Sequence, residues 1–246
     1  MANKLLTDNL SAPLGSVTAA RIDINCGPGH LAIDGLTGGE PVLASGALQY
    51  LEKQGLPAQS LDSSKGQATL RLKAKGTGGG GFRWPWQACA GGAFAWRVHL
   101  NPGVSSDITA HSDGGDVKLD LAGMAVTRVK ADTGGGNIDV VLPERAANLS
   151  VAARTGGGNV TVEVGSGMTG SSTINAESGA GNVVVRVPGG VAARVHATSG
   201  LGKVMVDSRF SKMDDNTYQS PGYDGAADRV EITVKSGAGN VSVNTK

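Results

Sequence analysis

An all-β fold is what this 246-residue sequence predicts, and more narrowly one β-solenoid domain with repeats of about 21–23 residues. Three observations carry that reading. A glycine-rich turn recurs at nearly constant spacing, each turn leads into strict apolar alternation, and no segment shows a helical stripe of ten or more residues. From residue 113 onward the segments DGGDVKLDL, TGGGNIDVVLP, TGGGNVTVEV, SGAGNVVVRVP, SGLGKVMV and SGAGNVSV share one grammar. Their pivots are Asp116, Asn137, Asn159, Asn182, Lys203 and Asn240, spaced by 21, 22, 23, 21 and 37 residues. Two strands per unit make the repeat too short for a propeller blade and suit a coil that stacks on its predecessor at strand spacing.

Along the chain, residues 1–15 read as an N-terminal arm and residues 16–246 as one continuous solenoid. Coils 16–100 are irregular: VTAARIDINCGPGHLAIDG is strand, glycine turn, strand, and GALQYLEK and GQATLRLKAKG follow. Regular repeats run over 101–246, starting just after WRVHL. Within them Ile138, Val140 and Leu142 face one way and Asp139 the other, and Val160, Val162 and Val164 oppose Thr161 and Glu163. A second apolar strand lies between pivots, as in Leu149-Val151-Ala153, Ala193-Val195-Ala197 and Val230-Ile232-Val234. The long final spacing marks an insertion at 208–229. At the corners, glycine is expected to supply positive φ, and asparagine to tolerate the same left-handed backbone. Stacked pivots are also expected to bond along a ladder from coil to coil. The last strand, GNVSVNTK, is expected to leave an open edge at the C-terminal end, which invites self-association or a partner. The insertion, with Tyr218 and Tyr223, is the rival cover for that edge.

Composition bounds the function. A net charge of +1 gives no reason to expect nucleic acid or an acidic membrane surface. No run reaches the roughly 18 apolar residues of a membrane span, and MANKLLTDNLSAPLG is not a secretion signal. The chain as written therefore reads as cytoplasmic, or as extracytoplasmic if it is a fragment of an anchored protein. Cys26 ends the alternation Ile22-Asp23-Ile24-Asn25-Cys26 and should point inward; whether it pairs with Cys89 is left open. GTGGGG at 76–81 fits a dinucleotide pattern, but FRWPW follows and no helix can start there. His30, His99, His111 and His196 lack metal-ligand spacing, and His99 and His196 fall at outward strand positions. Asp214, Asp215, Asp224 and Asp228 fit a solvated loop better than a calcium site. No cofactor, no metal and no catalytic motif are read from the sequence.

One stretch breaks the pattern. GGGGFRWPWQACAGGAFAW at 78–96 holds all three tryptophans of a chain poor in aromatics. Trp96 alternates with Val98 and Leu100 and belongs to the core. Phe82, Arg83, Trp84 and Trp86 stand in a Gly/Pro-rich loop, where exposed rings call for a covering partner. Three covers compete: the solenoid itself, another protein subunit, or a sugar polymer stacked on the rings.

INCGPGHLAIDG, GQATLRLKAKG, WRVHLNPGVSSDITAHSDGGDVKLDLAGMAVTRVKADTGGGNIDVVLP and the tail from VPGGVAARVHATSGLGKVMV to DRVEITVKSGAGNVSV resemble the bacterial toast-rack proteins. The resemblance covers nearly everything after residue 15. It implies a non-enzymatic β-solenoid, of a kind carried by membrane-anchored regulators of cell-envelope stress and by candidate adhesins, although this chain lacks their membrane segments. The expected function is an interaction scaffold, binding a protein or a second copy through the solenoid end or the aromatic loop; the alternative is a carbohydrate-binding or adhesin module.

Overall fold

A computed structural model describes residues 4–76 and 94–246. Two sheets, of ten and eleven strands, face each other across a continuous aliphatic core. Each coil contributes one strand to the eleven-stranded sheet, turns a corner, and contributes the next to the ten-stranded sheet. In chain order the first pair is β2 (Ala19–Asn25) and β3 (His30–Gly35), after the leading strand β1 (Leu5–Pro13). Strands β4 (Val42–Leu51), β5 (Ala58–Ser64), β6 (Gln67–Lys73) and β7 (Ala95–Leu100) complete the irregular half. The regular pairs are β8 (Ser105–Ser112) with β9 (Val117–Asp120), and β10 (Val126–Thr133) with β11 (Ile138–Val141). After β12 (Arg145–Ala147) come β13 (Ser150–Thr155) and β14 (Val160–Glu163). After β15 (Gly167–Thr169) come β16 (Ser171–Ser178) and β17 (Val183–Val187). The C-terminal elements are β18 (Ala193–Ser199), β19 (Val204–Val206), the short β20 (Ser211–Lys212) and β21 (Thr217–Gln219), then β22 (Arg229–Ser236) and β23 (Val241–Thr245). β12 and β15 pair on a third side of the coils.

Alternation explains the core. Ile138 and Val140, Val160 and Val162, Val183 and Val185, and Val241 and Val243 stack in register and are buried. Each buried aliphatic side chain contributes roughly 1.5–3 kcal/mol against its exposed state. In the facing sheet, Ala110, Ala131, Ala153, Ala176 and Ala197 occupy one column two residues before the corner, broken only by Val234. A chain that reverses over three residues brings its two strands together there, which favours a small side chain between them. Ile24 and Leu72 hold the same column in the N-terminal coils, where the corner differs in sequence.

Spatial order departs from chain order at both ends. β2 and β3 lie inside β6 and β7, although they come first. At the C-terminal end, β22 lies between β16 and β18, and β23 between β17 and β19. This corrects the expectation that GNVSVNTK forms the open edge. Val241 and its neighbours pair on both sides, because the insertion lets the chain turn back and fill a slot that β18 and β19 leave beside β16 and β17. At this end of the solenoid the edge strand of the ten-stranded sheet, among the described residues, is β19.

The two sheets are finished differently. The segment expected as an arm contains β1, which pairs antiparallel with β4 along its whole length and buries Leu10 and Ala12. β5 folds antiparallel onto β6, and Gln59 Nε2 donates to Asp8 Oδ2 at 2.6 Å, tying β5 to β1 across the end of the core. At the other end the hairpin β20–β21 covers β18 antiparallel.

Candidate functional site

The corners expected to be a structural ladder are brought together over the length of the solenoid. Asn137 donates to Asp116 Oδ1 from its backbone N–H (2.8 Å) and from Nδ2 (3.1 Å). Asn159 donates to Asn137 Oδ1 in the same two ways, at 2.9 and 3.2 Å. The backbone N–H groups of Asn182, Asn240 and Lys203 continue the series onto Asn159, Asn182 and Asn240 Oδ1, at 2.9, 2.8 and 2.9 Å. Asn240 thus sits before Lys203 in the ladder, as the strand order requires. At Asn137 and Asn159 the side chain serves both neighbours, because its carbonyl accepts from the coil above while its amide donates to the coil below.

A residue missed from sequence opens the ladder: His30 Nδ1 accepts the N–H of Asp116 at 3.0 Å. A second column was also missed. The Ser or Thr that begins each turn donates its hydroxyl to a carbonyl of the preceding coil and accepts an N–H from its own. Thr133, Thr155, Ser178, Ser236 and Ser199 bond Gly115, Gly136, Gly158, Gly181 and Gly239 carbonyls at 2.7–2.9 Å. Gly181 N–H, for example, donates to Ser178 Oγ at 2.8 Å. Ser112 does the same towards Gly29 O at 2.8 Å, and Cys26 takes the equivalent place in the coil before it. Aligning CGPGH at 26–30 with TGGGN at 133–137 is the signal that finds both residues.

Glycine is required at these corners for a different reason from the one expected. Among the described glycines, positive φ occurs at Gly27 of the first corner and at turns elsewhere, but not in the repeated GxG corners, and none of the pivots has positive φ. Close approach decides instead. A Cβ on Gly136, Gly158 or Gly181 would lie under 3.0 Å from the backbone of the glycine stacked beneath it. The middle position is open: Gly135 has nothing within 4 Å, and Ala180, Leu201 and Ala238 occupy its equivalents.

The two tyrosines hold the insertion down. Tyr218 is half-buried opposite Val195 and packs on the end of the core. Tyr223 is 2% exposed, and its hydroxyl donates to Glu231 Oε1 at 2.6 Å. Burial, reinforced by that bond and the Glu231 charge, pushes its pKa up to about 12, so it stays a neutral donor. The Arg194 guanidinium lies 4.4 Å from the ring centre and bonds Gln219 Oε1 and Asp224 Oδ1 at 2.9–3.0 Å. Arg194, Tyr223, Asp224 and Glu231 line a cleft of about 440 Å³ with Ser171, Thr173 and Arg229. Of the other insertion carboxylates, Asp228 accepts from Gly170 N–H at 2.7 Å and Asp214 from the N–H groups of Asn216 and Thr217 at 2.9 and 2.8 Å. Each therefore serves a local turn or contact.

Cys26 is buried and points inward, and burial pushes its thiol up to about 12, which holds it neutral. His99 is hydrogen-bonded to Asp34, and His196 stands exposed beside Thr217. The aromatic candidates Phe82, Arg83, Trp84 and Trp86, with Cys89, lie outside the described residues. Trp96 is fully buried, and its indole N–H donates to Gln49 O at 2.8 Å. No helix among the described residues is long and apolar enough to cross a membrane.

Stacked two-strand coils with a shared core and bonded glycine corners define the class: a parallel-stacked β-solenoid of toast-rack type. Residues 2–163 match the family described as the N-terminal domain of toast_rack, DUF2154, and the chain belongs to that family. Residues 158–243 match a second description, cell wall-active antibiotics response LiaF, C-terminal. A crystal structure of a candidate cell adhesion protein from Clostridium sporogenes superposes with a TM-score of 0.71 at 19% identity, covering 99% of this chain and 100% of that one. That likeness is one of fold. A candidate adhesin from Bacteroides fragilis aligns over 98% of each chain at 11% identity, with a TM-score of 0.35. A comparison with curated proteins returns no match.

Proposed function

We propose that this chain is a non-enzymatic binding scaffold of the bacterial cell envelope, and that it works in the response to envelope stress by docking a protein partner. The match of residues 158–243 to the LiaF C-terminal description carries the reading. The use of polar groups supports it. The repeated side chains that could have formed a reactive site are spent on bonds between coils, and the nucleophile Cys26 is buried as a neutral thiol. Among the described residues, what remains for function is surface: the sheet faces, the insertion and the solenoid ends.

The test is a strain lacking this chain, challenged with a cell-wall-active antibiotic while an envelope-stress reporter is read. The expected result is an altered response, restored by the wild-type chain; an unchanged response overturns the role. A carbohydrate-binding reading is kept alive by the alternation of Phe82, Trp84 and Trp86 in the sequence. Binding on a glycan array that disappears with Trp84→Ala would replace the protein partner by a sugar.

A further inference from the structure

We propose that the open edge of β19 is a strand-addition site that takes an extended segment of a partner protein with apolar residues at alternate positions; this deepens the binding reading above and rests on it.

The backbone pattern comes first. Val241 N–H donates to Lys203 O at 2.9 Å, and Asp207 N–H donates to Val243 O at 2.8 Å. In a parallel pair, alternate residues turn both backbone groups to the same neighbour. Lys203, Met205 and Asp207 therefore face β23, and Val204 and Val206 present N–H and C=O to the open side. No described residue bonds them there. β18, the partner strand of the same coil, would have the same exposure, but the chain covers it with β21 and β20. One level beyond the last coil, then, the eleven-stranded sheet holds β21 and the ten-stranded sheet holds no described strand. A segment laid beside β19 would face β21 and complete one more coil.

The side chains agree with the backbone. Val204 and Val206 point inward yet stay half-buried, whereas Val241 and Val243 beside them are fully buried. Leu201 is 86% exposed at the corner position held elsewhere by Gly135, Gly157, Ala180 and Ala238. Met205 is 50% exposed in the outward row of Asp139, Thr161, Val184 and Ser242. Apolar groups gather where hydrogen-bonding groups stand open, which is the surface that strand addition uses.

The occupant follows from what already fits the other side. β23 sets Val241 and Val243 against Val204 and Val206 in parallel register. Donors and acceptors two residues apart demand an extended backbone, and the inward row demands an apolar residue at every second place.

The probe is a dye-labelled peptide with the β23 sequence GNVSVNTK, titrated against the full chain and read by fluorescence anisotropy. Saturable binding is expected. Val204→Pro removes one outward N–H without touching the bonds to β23, and should weaken binding by about tenfold or more, the worth of one or two net backbone hydrogen bonds. Two peptides N-methylated on opposite alternate residues keep the test sharp even if that variant folds poorly. One edge of the peptide pairs, so one methylated form should lose binding and the other retain it. Absence of binding, equal binding to Val204→Pro in a folded state, or equal binding of both methylated forms would overturn the site. A concentration-dependent dimer in sedimentation that Val204→Pro abolishes would replace the partner's segment by a second copy and overturn the assigned occupant. The readout uses the purified chain alone, so its outcome is separate from that of the stress reporter.

Discussion

At the N-terminal end, β1, β4 and β5 run antiparallel to their neighbours and roll over the core, burying Leu10 and Ala12 beneath them. At the C-terminal end the parallel stacking continues to the last coil, and a two-strand hairpin covers only one of its two sheets. The contrast teaches that stacking and stopping have different requirements. A repeating coil needs close corners and a ladder, whereas an end needs a change of strand direction or a cover. The last coil carries the marks of an end in its own residues. Lys203 stands where interior rungs have Asp or Asn, because no described coil above it supplies an N–H for a carbonyl to accept.

The largest expected effect separates an interior coil from an end strand. Deleting Arg229–Lys246 removes Val230, Ile232, Val234, Val241 and Val243 from between two neighbours, on the order of 10 kcal/mol of burial. Hydrogen exchange should show residues 193–206 losing protection, since β18 and β19 reach the earlier coils only through that pair. Deleting residues 1–13 should leave 193–206 unchanged. Equal loss from both deletions would break the comparison.

Next in size is the corner. Gly158→Ala forces a Cβ into the backbone of Gly136 and should cost about 3 kcal/mol. Gly135→Ala, at an open middle position, should be neutral or slightly stabilising, within about 1 kcal/mol. Chemical denaturation of the two variants sharpens the distinction between close approach and backbone conformation; a similar cost for both would refute it.

A smaller effect is expected on the ladder. Asn159→Ala leaves the N–H of Asn182 without its acceptor and should lower stability by about 1–2 kcal/mol. Lys203→Ala, at the last rung, should change the melting temperature little.

The smallest effect concerns the first corner. Cys26→Ser places a hydroxyl where Ser112 and Thr133 stand in later coils, so stability at neutral pH should hardly move. The pH profile should differ. Burial raises the folded thiol from 9.0 to about 12, so its contribution is present below pH 9 and is lost between about pH 9 and 12 as the unfolded chain ionises first. Alkaline titration followed by circular dichroism should show that loss in the wild type and less of it in Cys26→Ser.

Much of the fold was legible because it is written locally. Ile138, Val140 and Asp139 declare their faces by alternation, and constant spacing places one pivot over the next. The slot taken by Asn240 was not legible, since all the coils share one grammar and a parallel strand of Val and Ser pairs equally well with any of them. The role of corner glycines was misassigned for a related reason. A glycine read alone suggests φ, and its real constraint at Gly136 is a backbone belonging to a residue 21 positions away.

The chain's own pattern determined that it winds into two-strand coils around aliphatic rows, because period and polarity are properties of neighbouring residues. Tertiary structure alone decided which coil lies last and which edge stays open, because those depend on competition among segments of nearly equal pairing energy, settled by a loop long enough to send the tail back inside.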